Sequence, residues 1–301
     1  EIVQGFHKPL SVPAGRRGGP WPGEALSILG LRNGFVGHAM TLLSPGVDTI
    51  VWDTNPNKRV PRDLTFKQFV QDSEIVFVAV PTPMNKDGSC HVGVVEHVVK
   101  QVKSVESEKY IVIRSTVPQG TSDRLGVFFM PEFLTERIWR SDFMNTSEWI
   151  VGADDKQFIN KIQEMFTLAA DKNCIAGDHV KQTTTTEAEM IKYTRNCFLA
   201  SKVSFFNEIY QLCKKIGIDY EAVRHECGED IRIGHQHTHV PGPDGKPGYG
   251  GTCFPKDTNA LRSIMQEHDV ESPIIDSVVF RNETIDRAEK DWKSDRGRAV
   301  L

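Results

Sequence analysis

The sequence predicts an α/β protein in which a doubly wound parallel sheet is followed by a helical central domain built on one long helix. Three observations predict it. Short apolar, β-rich runs alternate with helical patterns through the first half of the chain. A glycine-rich turn sits between the first of those runs and the first helix, and the next run ends on an acidic residue. Later, residues 186–215 contain neither Pro nor Gly.

Taken in order, residues 1–24 are rich in Gly and Pro with no apolar stretch, and read as a disordered extension outside the fold. Ala25–Leu29, Thr49–Trp52, Glu74–Val80 and Tyr110–Ile113 are the expected strands, with Trp149–Val151 as a later one. Continuous apolar runs of this kind suit strands buried on both faces and joined by right-handed crossovers. The sheet domain is expected over 25–180 and the central helical domain over 181–285, with a polar tail over 286–301. In the long helix Leu199, Val203, Phe206, Tyr210 and Cys213 step by four and three, the seam of a packed helix. Thr186 is its expected cap with Glu189 three residues on, and Gly217 lies just past its end. So long a helix suits a dimer interface, and a homodimer through 186–215 is expected. Ser272–Asp286 is a final helix.

Composition excludes several classes. Of 301 residues, 39% are hydrophobic and 25% charged, and the net charge of −4 offers no basic field for nucleic acid. No apolar run is long enough for a membrane span. Six cysteines without a CxxC pair suggest neither a disulfide framework nor a zinc site, which points to a reducing, cytoplasmic setting. His235, His237 and His239 alternate in a loop without acidic or Cys partners, so no metal is expected.

Gly30, Gly34 and Gly37 between strand and helix, with Asp53 closing the next strand nineteen residues after Gly34, form the context of a Rossmann-like dinucleotide site. The glycines admit the pyrophosphate, the helix N-terminus offers it free N–H groups, and Asp53 accepts from the ribose hydroxyls, which favours NAD over NADP. Arg32 and Asn33 lengthen the first glycine gap by two residues, so the turn must bulge or reroute.

Chemistry concentrates further on. Cys253 follows two glycines in GYGGTCFPKD, with Lys256 and Asp257 beside it; a thiol so placed can trap an aldehyde and leave again as a thiolate. The alternative for any Cys is a buried structural thiol, which is the expectation for the other five. Lys192 and Asn196, four apart on one helix, offer a cation and an amide donor to an oxyanion. Glu132 and Glu136 are also four apart, and one helical turn would bring them to one side.

Together VPTP (80–83), STVPQGT (115–121), PEFLTE (131–136), AEMIKYTRN (188–196) and GYGGTCFPKD (248–257) resemble the UDP-glucose/GDP-mannose dehydrogenase family, from about residue 25 to 290. The resemblance implies NAD-dependent four-electron oxidation of a nucleotide sugar through a covalent Cys253 adduct, with UDP-glucose the nearest substrate and UDP-N-acetylmannosamine and GDP-mannose the neighbouring ones. It implies Cys253 as nucleophile and Lys192 and Asn196 as oxyanion donors. Glu132 and Thr116 then serve with water in hydrolysis, and Asp257 serves in proton transfer. For NAD it implies Gly30, Gly34, Phe35, Val36, Gly37, Asp53, Lys58, Val80, Pro81, Thr82, Ser115, Thr116 and Glu136. The substrate set adds Phe133, Leu134, Arg232, Tyr249 and Gly250 to Glu132, Lys192, Asn196 and Cys253. Lys202, Asn207 and Glu208 also match, as packing and hinge residues. Longer members of the family continue into a third α/β domain over the uridine end of the substrate, and Leu301 falls where it would begin, so either a short form or a fragment of a longer chain is expected. The rival readings are a single-step β-hydroxyacid dehydrogenase, which needs the helix Lys but no nucleophilic Cys, and a nucleotide-binding relative without turnover.

Overall fold

The computed structural model describes residues 25–30 and 35–301; the expected N-terminal extension, and Arg32, Asn33 and Gly34 of the lengthened glycine turn, lie outside them. Seven strands form one sheet: β1 (Ala25–Gly30), β2 (Thr49–Trp52), β3 (Ser73–Ala79), β4 (Tyr110–Ile113), β5 (Phe128–Phe129), β6 (Glu148–Gly152) and β7 (His179–Thr183). Their order is β2-β1-β3-β4-β5-β6-β7. The chain reverses its winding between β1 and β3, and the crevice at such a switch point is where parallel sheets bind ligands.

The unbroken apolar runs are explained by burial on both faces. Along β3, Ile75 and Phe77 enter one core while Val76 and Val78 enter the other; along β4, Val112 joins the first and Ile111 and Ile113 the second. The first core is closed by α1 (Phe35–Met40), α5 (Trp139–Met144) and α6 (Lys156–Asp171), through Met40, Phe143 and Phe166. The second is closed by α2 (Phe66–Gln71) and α3 (Gly93–Val105), through Phe69, Val95 and Val99. Successive side chains point to opposite faces, so a strand between two helical layers needs apolar residues at every position.

The sheet departs from expectation in three ways. It is not wholly parallel: β5 and β6 pair antiparallel, at Phe129 and Gly152. The segment between them carries the six-residue α5. The two-residue β5 and the polar β7 were not expected at all. Strand β7 extends the sheet domain to Thr183, three residues past the expected boundary.

Helix α7 spans Thr185–Ile216 and ends on Gly217 at φ 74°, a left-handed cap suited to glycine. Its start corrects the expected cap. The Thr184 hydroxyl accepts from Glu187 N–H and the Glu187 carboxylate accepts from Thr184 N–H, a closed capping box two residues before the expected one. Thr186 instead donates to Asp123. The wholly buried Glu189 carboxylate accepts from the backbone of Gly120 and Ser122, tying α7 to the start of α4 (Thr121–Leu125). Of the predicted seam, Phe206 and Cys213 are buried and Leu199, Val203 and Tyr210 half-buried. The central domain is completed by α8 (Tyr220–Glu229), α9 (Phe254–Glu267) and α10 (Pro273–Arg281), the last running on through a π turn to Asp286. Residues 286–301, expected as a polar tail, carry the buried Trp292 and Ala299, and their backbone bonds to Met84.

Candidate active site

The site lies beyond the carboxyl ends of the parallel strands. Where β3 and β4 end, the Ser115 hydroxyl bonds both the N–H and the carbonyl of Val80, at 2.8 and 2.7 Å. A side chain thus replaces a ladder partner, so the two strand ends splay while the Val80–Thr82 turn stays anchored. A pocket opens there. Val36, Val80, Pro81 and Thr82 line one side; Arg114, Ser115, Thr116 and Glu132 form its floor; Thr252, Cys253, Lys256 and Arg298 close it from the central domain.

Cys253 is the residue before α9, and Asp257 N–H caps back to its carbonyl. Burial pushes its thiol above the ordinary value; Lys256 and Lys192 pull it down, while Glu132 and Asp257 push it up. The thiol is therefore neutral at rest, within reach of cations that stabilise the thiolate when it forms.

Two buried pairs hang on one face of α7. Lys192 Nζ lies 2.9 Å from Glu132 Oε1 and also donates to the Glu132 carbonyl. One turn on, Asn196 Nδ2 donates to Asp257 Oδ2 at 2.6 Å, and Lys256 holds the other carboxylate oxygen. Lys192 and Asp257 are 3% and 1% exposed, so these pairs act where water screens little. Burial alone would raise the Glu132 carboxyl, but Lys192, the Leu134 N–H and Arg114 outweigh it and hold it below the usual carboxylate range. An ammonium has three donors and an amide nitrogen two, so Lys192 and Asn196 each keep one N–H for a third partner.

PEFLTE is not the helix turn its spacing suggested. Leu134 N–H is taken by the Glu132 carboxylate and Thr135 N–H by Asp142, and side-chain acceptors of this kind displace helical bonding. The two glutamates part: Glu132 is buried on Lys192, while Glu136 is exposed and pairs with Arg298 at 3.0 Å. Phe133 lies under Arg195, 4.2 Å from ring centre to guanidinium, and Leu134 packs into the first core.

The expected dinucleotide residues gather at the same sheet edge. Gly37 is buried in the first turn of α1 and Gly30 ends β1. Asp53, 5% exposed, ends β2 and accepts from Asn55 N–H at 2.7 Å; Lys58 follows in the Pro56–Lys58 turn. A buried carboxylate at the tip of the strand beside β1, next to the switch point, fits a ribose.

Of the expected substrate residues Glu132 and Cys253 line the pocket; Lys192 and Asn196 stand behind them in the buried pairs, and Arg232, Tyr249 and Gly250 are engaged elsewhere. Arg232 is largely exposed and pairs with Asp230. Tyr249 is buried, its backbone N–H and carbonyl both bonded by the Asn282 side chain. A Cβ on Gly250 would lie 2.1 Å from Arg287, so that glycine serves close packing. Lys202 and Asn207 meet their expected packing role: Lys202 donates to the carbonyls of Ile233 and Gly234, and Asn207 accepts from Gly248 N–H, both securing the loop that leads to Cys253. Among the described residues no group of three His, Cys, Asp or Glu side chains is arranged to hold a metal. Of the residues the spacing missed, Arg298 had no sequence signal, whereas Arg114 had one: a charge ending an otherwise apolar strand run.

The model of the UDP-glucose/GDP-mannose dehydrogenase family, NAD binding domain, matches residues 35–170, and that of the family's central domain matches 186–284. A UDP-glucose 6-dehydrogenase of Bacillus subtilis is 33% identical over 258 residues, 80% of this chain and 56% of that protein. One of Rhizobium meliloti is 32% identical over 82% of this chain and 58% of that protein. The solved UDP-glucose dehydrogenase of Pyrobaculum islandicum superposes with a TM-score of 0.75 at 27% identity, covering 88% of this chain and 69% of that one. The chain thus spans a little over half the length of the curated relatives it matches.

Proposed function

Because the chain belongs to the UDP-glucose/GDP-mannose dehydrogenase family, we propose that it oxidises UDP-glucose to UDP-glucuronate in two NAD-dependent steps, with Cys253 as the covalent nucleophile. The observation that carries this reading is the pocket: the strand-end residues of the NAD-binding domain and Cys253 of the central domain face one cavity, with Glu132 on its floor. A single-step dehydrogenase has no use for a thiol at that point.

Gly30, Gly37, Asp53, Lys58 and the strand-end residues Val80, Pro81, Thr82, Ser115 and Thr116 would hold NAD, with Gly34, Phe35, Val36 and Glu136 completing the set. When bound, NAD takes up the hydride lost in each of the two oxidations. The chain's own residues do the rest. After the first oxidation the Cys253 thiol gives up its proton through water and Asp257, its sulfur bonds to the aldehyde carbon, and the carbonyl π pair moves to oxygen. The spare N–H groups of Lys192 and Asn196 stabilise that oxyanion. The second oxidation leaves a thioester. Water placed by Thr116 attacks it while Glu132 takes the water's proton; the carbon–sulfur bond breaks, and the thiolate recovers a proton through Asp257 and water. Covalent capture keeps the aldehyde from escaping between oxidations.

Phe133 and Leu134, and Arg232 in the loop before Cys253, complete the substrate set, while Tyr249 and Gly250 serve it only by packing that loop against Asn282 and Arg287. Arg232 is exposed and faces outward in one chain, which suits a contact made across a homodimer. Helix α7 supports such a dimer, because Phe198, Phe205 and Leu212, spaced by seven, are 66%, 57% and 54% exposed along one stripe. No helix of the described residues is long and apolar enough to cross a membrane, and a cytoplasmic setting matches the six free thiols.

Anaerobic NADH release, counted against acid formed, tests the reading with UDP-glucose, UDP-N-acetylmannosamine and GDP-mannose. Two NADH per UDP-glucuronate are expected. One NADH per substrate would replace the reading with a single-step dehydrogenase, and NAD binding without NADH formation would make the chain a binding relative.

A further inference from the structure

Beside the two buried pairs lies a third cation. Arg114 ends β4 at 3% exposure, and its guanidinium donates to the carbonyls of Pro131 at 3.1 Å and Met130 at 3.4 Å. These are the two carbonyls that lead into Glu132. Its Nε is buried without a hydrogen-bond partner. Burial lowers the guanidinium to about 10, and the Glu132 carboxylate opposes that fall. Burying an arginine to tether two neutral carbonyls is a costly way to hold a loop, since a charge is desolvated for neutral partners.

Charge balance gives it a use. Lys192 with Glu132, and Lys256 with Asp257, are neutral pairs. Arg114 leaves the cluster with one uncompensated positive charge on the pocket floor. The groups facing Glu132 are Arg114 from β4, Lys192 from α7 and the Cys253 thiol from the start of α9. Lys192 turns its spare N–H to an oxyanion during the reaction, while Arg114 stays on the Pro131 and Met130 carbonyls.

We propose that Arg114 is a positioning residue for Glu132: it fixes the Met130–Pro131 turn and supplies the standing positive charge that keeps the Glu132 carboxylate anionic, ready to take a proton from water. This rests on the proposed hydrolytic role of Glu132.

The test compares Arg114→Gln, which keeps a donor for the Pro131 carbonyl but no charge, with Arg114→Lys, which keeps the charge. The Glu132 carboxyl is titrated in the resting protein by selective 13C-carboxyl labelling of glutamate, its signal identified by loss in Glu132→Gln. In Arg114→Gln the midpoint should rise by about one pH unit, a tenfold change in acid constant, and the acid limb of the turnover profile should move with it. In Arg114→Lys both should stay in place. A merely structural role would lower the rate at every pH without moving the midpoint or the limb, and that result overturns the proposal. So does an upward shift in Arg114→Lys, which decides the matter even if Arg114→Gln does not fold. The titration needs no turnover, so a protein that forms no NADH would sink the functional reading and leave this one testable.

Discussion

At the residue scale, the site is defined by how charges are shared in a dry place. Asp257 is committed on both oxygens, to Asn196 and to Lys256, so it anchors α9 to α7. Cys253 has its thiol raised by burial, with Lys256 the largest opposing influence. Alkylation by iodoacetamide in the resting protein should therefore show a midpoint above the ordinary thiol value of about 8.5. Lys256→Met should push it higher still, because a cation that favours the thiolate is removed; a midpoint that falls would contradict the assignment. Cys253→Ser should cut release of the acid by at least about 10³-fold, because the residues that act with a nucleophile do little without it. Product assayed by chromatography, with NADH counted in parallel, checks this, and full turnover would remove Cys253 from the mechanism.

At the element scale, α7 organises the molecule. Its first turn is tied to α4 through Glu189, its second and third turns carry Lys192 and Asn196, and its middle secures the loop before Cys253 through Lys202 and Asn207. Thr184→Ala opens the capping box and should cost about 1 kcal/mol in denaturant unfolding. Thr186→Ala removes no cap and should cost less. The reverse order would return the helix start to Thr186. That choice was open in the sequence, because Thr184 with Glu187 and Thr186 with Glu189 fit the same pattern. Tertiary contact decides it: Glu189 is drawn into the α4 backbone and cannot cap.

At the scale of the whole molecule, two bodies of different construction share one cleft. The sheet domain is held by two apolar cores, the central domain by smaller clusters around Tyr193, Cys197 and Ile264 and around Phe206 and Cys213. Phe198, Phe205 and Leu212 belong to neither. Phe205→Asp with Leu212→Asp should convert a dimer to monomer in sedimentation equilibrium while leaving the thermal transition of the monomer fold in place, since exposed positions carry no core packing. A variant pair that sediments like the parent would place any interface elsewhere.

Periodicity, glycine placement and the segments around Lys192 and Cys253 were enough to read the sheet's main strands, the long helix and the NAD-binding family, because each is written in residues close together in the chain. What they left out depends on contacts between distant segments. The reversal at β5 and β6 has no signal in the local pattern and is fixed by pairing between Phe129 and Gly152. The parting of Glu132 from Glu136 follows from carboxylates that capture backbone N–H groups. The withdrawal of Tyr249 and Gly250 into packing follows from Asn282 and Arg287 closing over them. The charge count around Cys253 belongs here too: Arg114, Glu132, Lys192, Lys256 and Asp257 come from four separate segments, and only folding puts them at distances where one unpaired cation matters.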